Sequence, residues 1–176
     1  TVAGSYSLGV LPVRNFSTGV FEGIENIVAQ KVRERLVIHA ESCFSCPTPT
    51  ANLSLLCEEP FQGKIFQGPQ YETIGLLGSN CGIDSIETIA TANYICNELG
   101  IDTISTGNVI GFAMECYERG FISKKDTDGV ELKFGNREAL VQMVNKIGMR
   151  EGFGDTLAEG VKRVSEEIGQ GAERFA

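Results

Sequence analysis

The sequence has 176 residues, of which 42% are hydrophobic and 22% charged, values typical of a globular domain and not of a disordered or fibrous chain. Its 23 acidic residues outnumber 15 basic ones, and the lysines and arginines are scattered, which disfavours a nucleic-acid-binding surface. No stretch reaches the roughly 20 apolar residues of a membrane span. We therefore expect neither nucleic acid nor a membrane as a partner.

The first third of the chain alternates helix-like spacing with residues that interrupt helices. Residues 1–20 predict an irregular or extended lead-in. Apolar residues at helical spacing predict a helix over residues 21–40. Residues 41–60 contain three prolines and predict no long element, and residues 64–66 predict a short strand.

The rest of the chain predicts four helices. A capping box at Asp84 and Glu87 opens the first, which ends at Gly100, a residue suited to a left-handed C-cap. The second covers residues 105–119, Asn136 caps the third, and the fourth covers residues 156–169. The predicted fold class is mainly α, an irregular helical domain with few short strands over residues 1–176. A subdivision is possible near residues 120–135.

The six cysteines fit a reduced, cytoplasmic protein better than a disulfide scaffold, because the chain is long and its core composition is normal. Cys96 and Cys116 lie in apolar helical patterns and are expected to be buried. Cys43 and Cys46 form the one closely spaced pair. Two sulfurs at this spacing suit zinc, an iron–sulfur cluster or a dithiol redox couple, and the pair alone does not choose among them.

Seven segments, taken in order, resemble the tungsten-containing aldehyde ferredoxin oxidoreductase family. They are residues 9–16, 43–47, 68–73, 78–82, 97–105, 113–120 and 150–160. The resemblance implies an enzyme that oxidises aldehydes to carboxylic acids, with water as the oxygen donor and ferredoxin as the electron acceptor. It also implies a tungsten (or molybdenum) bispterin centre with a [4Fe–4S] cluster close by, and a helical domain.

The family chain is over three times as long as this one. The resemblance therefore implies a helical middle piece, with a β-rich N-terminal cofactor-binding domain and a C-terminal segment lying outside residues 1–176. We expect such a piece to be inactive alone and to bind no cofactor without the rest of its own polypeptide. A homodimer is possible.

The resemblance implies cluster ligands in a CxxCxxxC motif, with a fourth Cys far downstream. Cys43 and Cys46 match the first two positions, but the third is Thr50, which is not a usual cluster ligand. The chain therefore supplies two of the four thiolates that a [4Fe–4S] cluster normally takes.

The family's pterin motif, DxxGLD, is matched by Asn97, Gly100, Ile101 and Asp102. Asp102 is expected to accept hydrogen bonds from pterin N–H groups, and Asn97 in place of Asp weakens that binding. The alternative is that Asn97 and Asp102 only satisfy backbone groups at helix ends. Arg14 is a further candidate, for a pterin phosphate.

Glu72 matches a family glutamate near the tungsten, where a carboxylate can act as general base toward the attacking water. The alternative is a surface Glu in a turn. His39 does not match the family's catalytic His, and a lone His on a helix flank is more often solvated or packed. Residues 91–94 lack the ExxH pair that binds a bridging iron in some members, so we expect no such site.

Two other functions stay open at this point. One is a family relative that reduces an acyl-CoA or a carboxylate on the same scaffold. The other is a non-catalytic helical module whose Cys43–Cys46 pair binds zinc or forms a disulfide.

Overall fold

The computed structural model describes residues 2–176 and confirms the mainly α fold. Among these residues, α-helices outnumber strands, and no helix is long and apolar enough to cross a membrane. The helices are α1 Val2–Ser7, α2 Ala29–Arg35, α3 Tyr71–Thr73, α4 Ile86–Leu99, α5 Thr103–Glu118, α6 Arg137–Met149, α7 Phe153–Leu157 and α8 Val161–Ile168. The strands are β1 Val37–Glu41, β2 Ala51–Leu55 and β3 Ile65–Gln67.

Helix α5 lies at the centre of the core. Ile110, Phe112 and Met114 are fully buried, as expected of a helix whose apolar residues nearly ring it. Helix α6 packs against both α5 and α4, and one continuous buried cluster joins residues from α1 to the C-terminal turn Ala172–Phe175. The irregular connection between α5 and α6 contributes Leu132 to this cluster. A subdivision near residues 120–135 stays a prediction.

An irregular helical run leads from the sheet into α4. Helix α3 passes into a π-helical turn, Ile74–Gly78, and then into a 3-10 turn, Ser79–Cys81. We refer to residues 71–81 as the irregular helix. Its Leu77, Ser79 and Asn80 are fully buried, so tertiary packing holds a conformation that is rare in isolated chains.

The helix ends follow the capping signals with one adjustment. Ser85, and not Asp84, caps α4 by accepting the backbone N–H of Thr88. Asn136 caps α6 as predicted. Gly100 ends α4 at φ 67°, the left-handed conformation that its position requires.

Three parts of the element prediction are wrong. Residues 21–40 form no continuous helix. They contain a 3-10 turn, Ile24–Asn26, the short α2 and most of strand β1, since Val37–Glu41 pairs antiparallel with Ala51–Leu55. The lead-in contains α1. Residues 41–60, by contrast, form no long element, as predicted, since β2 has five residues. The fourth helix is two helices, α7 and α8, because Gly160 adopts φ 85° between them.

The sheet has the order β1-β2-β3, with both pairs antiparallel. Its inner face carries Ser54 and Phe66, and Phe66 packs against Tyr94 of α4 with ring centroids 6.5 Å apart. The loop of residues 42–50 joins β1 to β2 at one end of the sheet. Gly68 follows β3 at the same end and donates its N–H to the Asn52 carbonyl at 2.8 Å.

Candidate functional site

The junction between α4 and α5 is built by local hydrogen bonds. The Ile101 N–H donates to the Cys96 carbonyl at 3.0 Å, which closes the end of α4. Asp102 caps α5, its carboxylate accepting the Ser105 N–H at 2.6 Å. That backbone hydrogen bond is the main reason why the pKa of Asp102 lies below its ordinary value. The exposed carboxylate therefore combines a capping role with spare acceptor capacity.

A cleft of about 330 Å³ opens beside this junction. It brings together two of the seven segments that carried the resemblance, although about 50 residues separate them in the chain. The cleft is lined by Ile101, Asp102, Ser105, Thr106, Val109, Ile147, Gly148, Arg150, Leu157, Ala158 and Gly160. Its apolar wall with one carboxylate and one guanidinium suits a flat, polar-edged ligand.

Arg150 follows α6 in a left-handed conformation, φ 53°, and pairs with two carboxylates of the next turns. Its Nε lies 2.5 Å from Asp155 Oδ1, and an Nη donates to Glu159. Asp128 holds the turn between α6 and α7, since its Oδ2 accepts the Phe153 N–H at 2.8 Å. These bonds fix the wall of the cleft that faces Asp102.

Glu72 lies in α3, exposed to solvent. Its neighbour Thr73 shares a hydrogen bond with Thr103, the first residue of α5, with the two hydroxyl oxygens 2.8 Å apart. The structure therefore brings the predicted base and the predicted pterin ligand Asp102 onto adjacent helix starts.

Asn97 is exposed on the last turn of α4, and its Nδ2 donates to the Gln67 carbonyl at 3.0 Å. A carboxylate could not donate this bond, because an ionised Asp is an acceptor only. The Asn in place of the family's Asp therefore has a structural use here, tying α4 to the end of β3.

Cys43 and Cys46 are both exposed thiols in the 42–50 loop, where the Cys46 N–H donates to the Cys43 carbonyl at 2.9 Å. This loop projects from the same end of the sheet as Gly68 and the turn into Glu72. Within residues 2–176 no three His, Cys, Asp or Glu side chains are grouped closely enough to hold a metal ion. The described residues thus offer two thiolates, and they do not form a complete cluster site.

The other cysteines divide by burial. Cys96 and Cys116 are fully buried, as predicted, and burial raises the pKa of each thiol to about 12. Cys81 is also fully buried, and burial raises its pKa further. Cys57 is exposed outside the motif. His39, expected on a helix flank, is exposed on strand β1.

Arg14 lies away from the α4–α5 junction. It lines a second cleft, of about 640 Å³, near the C-terminal end of α5, with its guanidinium carbon 5.9 Å from the centre of the Phe134 ring. A helix of 16 residues is about 24 Å long, so α5 separates Arg14 from Asp102. The structure does not bring this candidate into the cleft beside Asp102.

One polar network, which is centred on Glu115, was not identified from the sequence. Glu115 is only 5% exposed, and it accepts hydrogen bonds from Asn15 Nδ2 at 2.6 Å and from Arg119 Nε at 2.8 Å. The Arg119 guanidinium in turn lies 3.9 Å from the centre of the Phe175 ring. A Glu and an Arg four residues apart at the end of an apolar helix were the available signal.

The family model for aldehyde ferredoxin oxidoreductase, domains 2 and 3, matches residues 1–176. The chain belongs to the aldehyde ferredoxin oxidoreductase family. This confirms the resemblance carried by the seven segments. The oxidoreductase and tungsten character expected from it agrees with the names of the relatives.

Curated relatives include the tungsten-containing aldehyde ferredoxin oxidoreductases of Pyrococcus abyssi, 41% identical over 95% of this chain, and of Pyrococcus furiosus, 39% identical over 92%. An aliphatic sulfonate oxidoreductase, WOR-like subunit, of Pyrococcus furiosus is 34% identical over 97% of the chain. The chain spans only 26–28% of the length of these relatives.

Among solved structures, the active site complex BamBC of benzoyl coenzyme A reductase, in complex with 1,5-dienoyl-CoA, is similar with a TM-score of 0.70. It is 25% identical, and the match covers 83% of this chain and 21% of that one. The family fold therefore occurs in relatives named for different reactions.

Proposed function

We propose that the protein containing this chain oxidises aldehydes to carboxylic acids and passes the electrons to ferredoxin in the cytoplasm. Each aldehyde and one water give one acid, two protons and two electrons. The observation that supports this most is the cleft beside Asp102, where two family segments meet next to the helix that carries Glu72.

The residues of this cleft fit a pterin. Asp102 offers a carboxylate for amino and ring N–H groups, and Ile101 and Leu157 offer apolar contact. Gly160 lines the cleft with no side chain, in open space. When bound, a tungsten–bispterin group supplies the two-electron redox chemistry. Asn97 contributes less than the family's Asp, since its amide oxygen accepts hydrogen bonds but carries no charge, while its Nδ2 donates to the Gln67 carbonyl.

In this proposal Glu72 is the general base. Its carboxylate takes a proton from the water that attacks the carbonyl carbon. Glu72 is exposed in the described residues, so this role requires the rest of the protein to cover it and to exclude bulk water. Cys43 and Cys46 contribute two thiolates toward a [4Fe–4S] cluster, whose remaining ligands the described residues do not provide. Residues 1–176 alone are therefore proposed to be inactive.

The test is aldehyde-dependent ferredoxin reduction by the whole protein, produced anaerobically with tungstate. Glu72→Gln is expected to lower kcat by about 10²- to 10⁴-fold, the usual contribution of a general base. Glu138→Gln, an exposed Glu on α6, is the matched control and is expected to leave kcat unchanged. A whole protein that reduces no ferredoxin with any aldehyde contradicts the proposal.

The likeness to benzoyl coenzyme A reductase supports a second candidate, reduction of an acyl-CoA or carboxylate. The same preparation separates the two: thioester-dependent oxidation of reduced ferredoxin, without aldehyde-dependent reduction, favours the second candidate.

A further inference from the structure

The irregular helix, which carries Glu72, is joined to α5, which Asp102 caps, at two neighbouring points. The first is the hydrogen bond between Thr73 and Thr103, whose hydroxyl oxygens lie 2.8 Å apart. Thr73 is only 4% exposed, so this bond is shielded from water on one side. The path from Glu72 through Thr73, this hydrogen bond and Thr103 keeps the Cα atoms of Glu72 and Asp102 within about 15 Å of each other.

The second point is a backbone contact one turn further along α5. A Cβ at Gly107 would lie 2.6 Å from the carbonyl carbon of Leu76, so only glycine allows the two helices to approach this closely. The Gly107 carbonyl also accepts hydrogen bonds from Asn80 Nδ2 at 3.3 Å and from Cys81 Sγ at 3.4 Å. The far end of the irregular helix is thus held to α5 as well.

The two partners differ in regularity. Helix α5 is a regular helix of 16 residues, whereas the irregular helix changes from α to π to 3-10 within 11 residues. A π turn is rare and occurs mostly as a single turn within a helix, and a 3-10 turn has poorer hydrogen-bond geometry than an α turn. The contacts with α5 therefore set where α3, and with it Glu72, is placed.

We propose that Thr73 and Thr103 are positioning residues for the reaction. Their hydrogen bond fixes the start of α3 against the start of α5, so that Glu72 is held in register with a ligand bound at Asp102. This inference rests on the proposed function and adds residues that touch neither substrate nor cofactor. A general base must lie within hydrogen-bond reach of its proton, so a small shift of α3 costs turnover more than binding.

The experiment compares three variants of the whole protein. Thr103→Val keeps the side-chain shape but removes the hydroxyl, and it is expected to lower kcat by about 10- to 100-fold with much less change in KM. Thr103→Ser keeps the hydroxyl and is expected to restore turnover. Thr127→Val is the matched control, because its buried hydroxyl donates to the Val130 carbonyl at 2.6 Å in the α5–α6 connection.

Amide hydrogen exchange gives a readout independent of turnover. Thr103→Val is expected to speed exchange in residues 71–81, with tungsten content unchanged, whereas Thr127→Val is not. Normal kcat and unchanged exchange in Thr103→Val overturn the inference, as does an equal loss of kcat in Thr127→Val. If the wild-type protein shows no aldehyde oxidation, the proposed function fails, and the exchange comparison still decides whether the threonines hold the irregular helix.

Discussion

Asp102 combines two roles in one carboxylate, and substitution can separate them. Asn and Asp cap helices about equally well, whereas Ala removes the cap. Asp102→Ala is therefore expected to lower the free energy of unfolding by about 0.5–2 kcal/mol, and Asp102→Asn by much less. Urea unfolding of the variants measures both. If Asp102 also holds the pterin, Asp102→Asn loses tungsten while keeping stability, and normal tungsten content in that variant contradicts the binding role.

The cap of α5 also predicts a pH dependence. The pKa of Asp102 is lowered below its ordinary 3.8, chiefly by the Ser105 N–H. A carboxylate with a depressed folded-state pKa stabilises the protein above the unfolded value, and this contribution is lost as the pH falls through the folded-state pKa. Stability of the wild-type protein is thus expected to fall more steeply below about pH 4 than that of Asp102→Asn. Parallel pH profiles for the two proteins would contradict the assignment.

Removing the Glu115 carboxylate is expected to lower the free energy of unfolding more than removing any exposed carboxylate near it. Glu115→Ala removes the buried carboxylate that accepts from Asn15 and Arg119, and it is expected to cost about 1.5–3 kcal/mol, the range for hydrogen bonds to a charged group. Chemical unfolding checks this. Glu118→Ala, on the exposed side of the same helix end, is the control and is expected to lie within about 0.5 kcal/mol of wild type. Equal losses in both variants would show that the network adds no stability.

At the scale of elements, helix ends could be predicted from nearby residues, whereas strands that pair with distant residues could not. The ends of α4 and α6 were predictable because the cap and the group it satisfies lie within a few residues, as at Asn136. Strand β1 was not, since Val37 and Ile38 also fit a helical pattern. They become strand because β2, which lies beyond the loop of residues 42–50, supplies the backbone partners. Gly160 is visible in the sequence, but the sequence does not show that it adopts the positive φ that separates α7 from α8.

The candidate site shows the same limit. Glu72, Gly100 and Asp102 were identified from the motifs that resemble the family's. The structure places Glu72 and Asp102 at adjacent helix starts, and Gly100 at the end of α4. The facing wall at Arg150 was recognised only as a family segment, because the cleft depends on how α6 packs against α4. Gly107 was not singled out at all, since a glycine in an apolar helix has many possible reasons.

Gly107→Ala tests the closest approach between elements. Alanine favours helix by about 1 kcal/mol over glycine, so an open site would gain stability. Here the new Cβ would lie 2.6 Å from Leu76 backbone, and overpacking of this kind costs about 1–3 kcal/mol. We expect a net loss in urea unfolding. Gly19→Ala is the control, because a Cβ there meets nothing within 4 Å. A stabilised Gly107→Ala protein would mean that α5 can move away from the irregular helix.

At the scale of the whole molecule, most of the predicted site residues are exposed. Glu72, Asn97, Asp102, Cys43 and Cys46 are all exposed, whereas cofactor and cluster sites are usually enclosed. The curated relatives are almost four times as long as the stretch matched here. Enclosure of these residues by further parts of the protein is consistent with both facts, and no sequence pattern within residues 1–176 could have shown which groups complete the site.

The cysteine pair gives the prediction that depends on this assembly. If Cys43 and Cys46 ligate a cluster, Cys43→Ser and Cys46→Ser in the whole protein are each expected to lower iron content and to weaken the visible charge-transfer absorption, because serine is a poor substitute for a thiolate ligand. Cys57→Ser removes an exposed thiol outside the motif and is the matched control, expected to keep the iron of wild type. A zinc site predicts instead that zinc, and not iron, is lost from the two variants. A disulfide predicts unchanged metal and a change in free-thiol titre. Unchanged iron in both variants would remove the pair from the cluster and leave its exposed loop with one of those two roles.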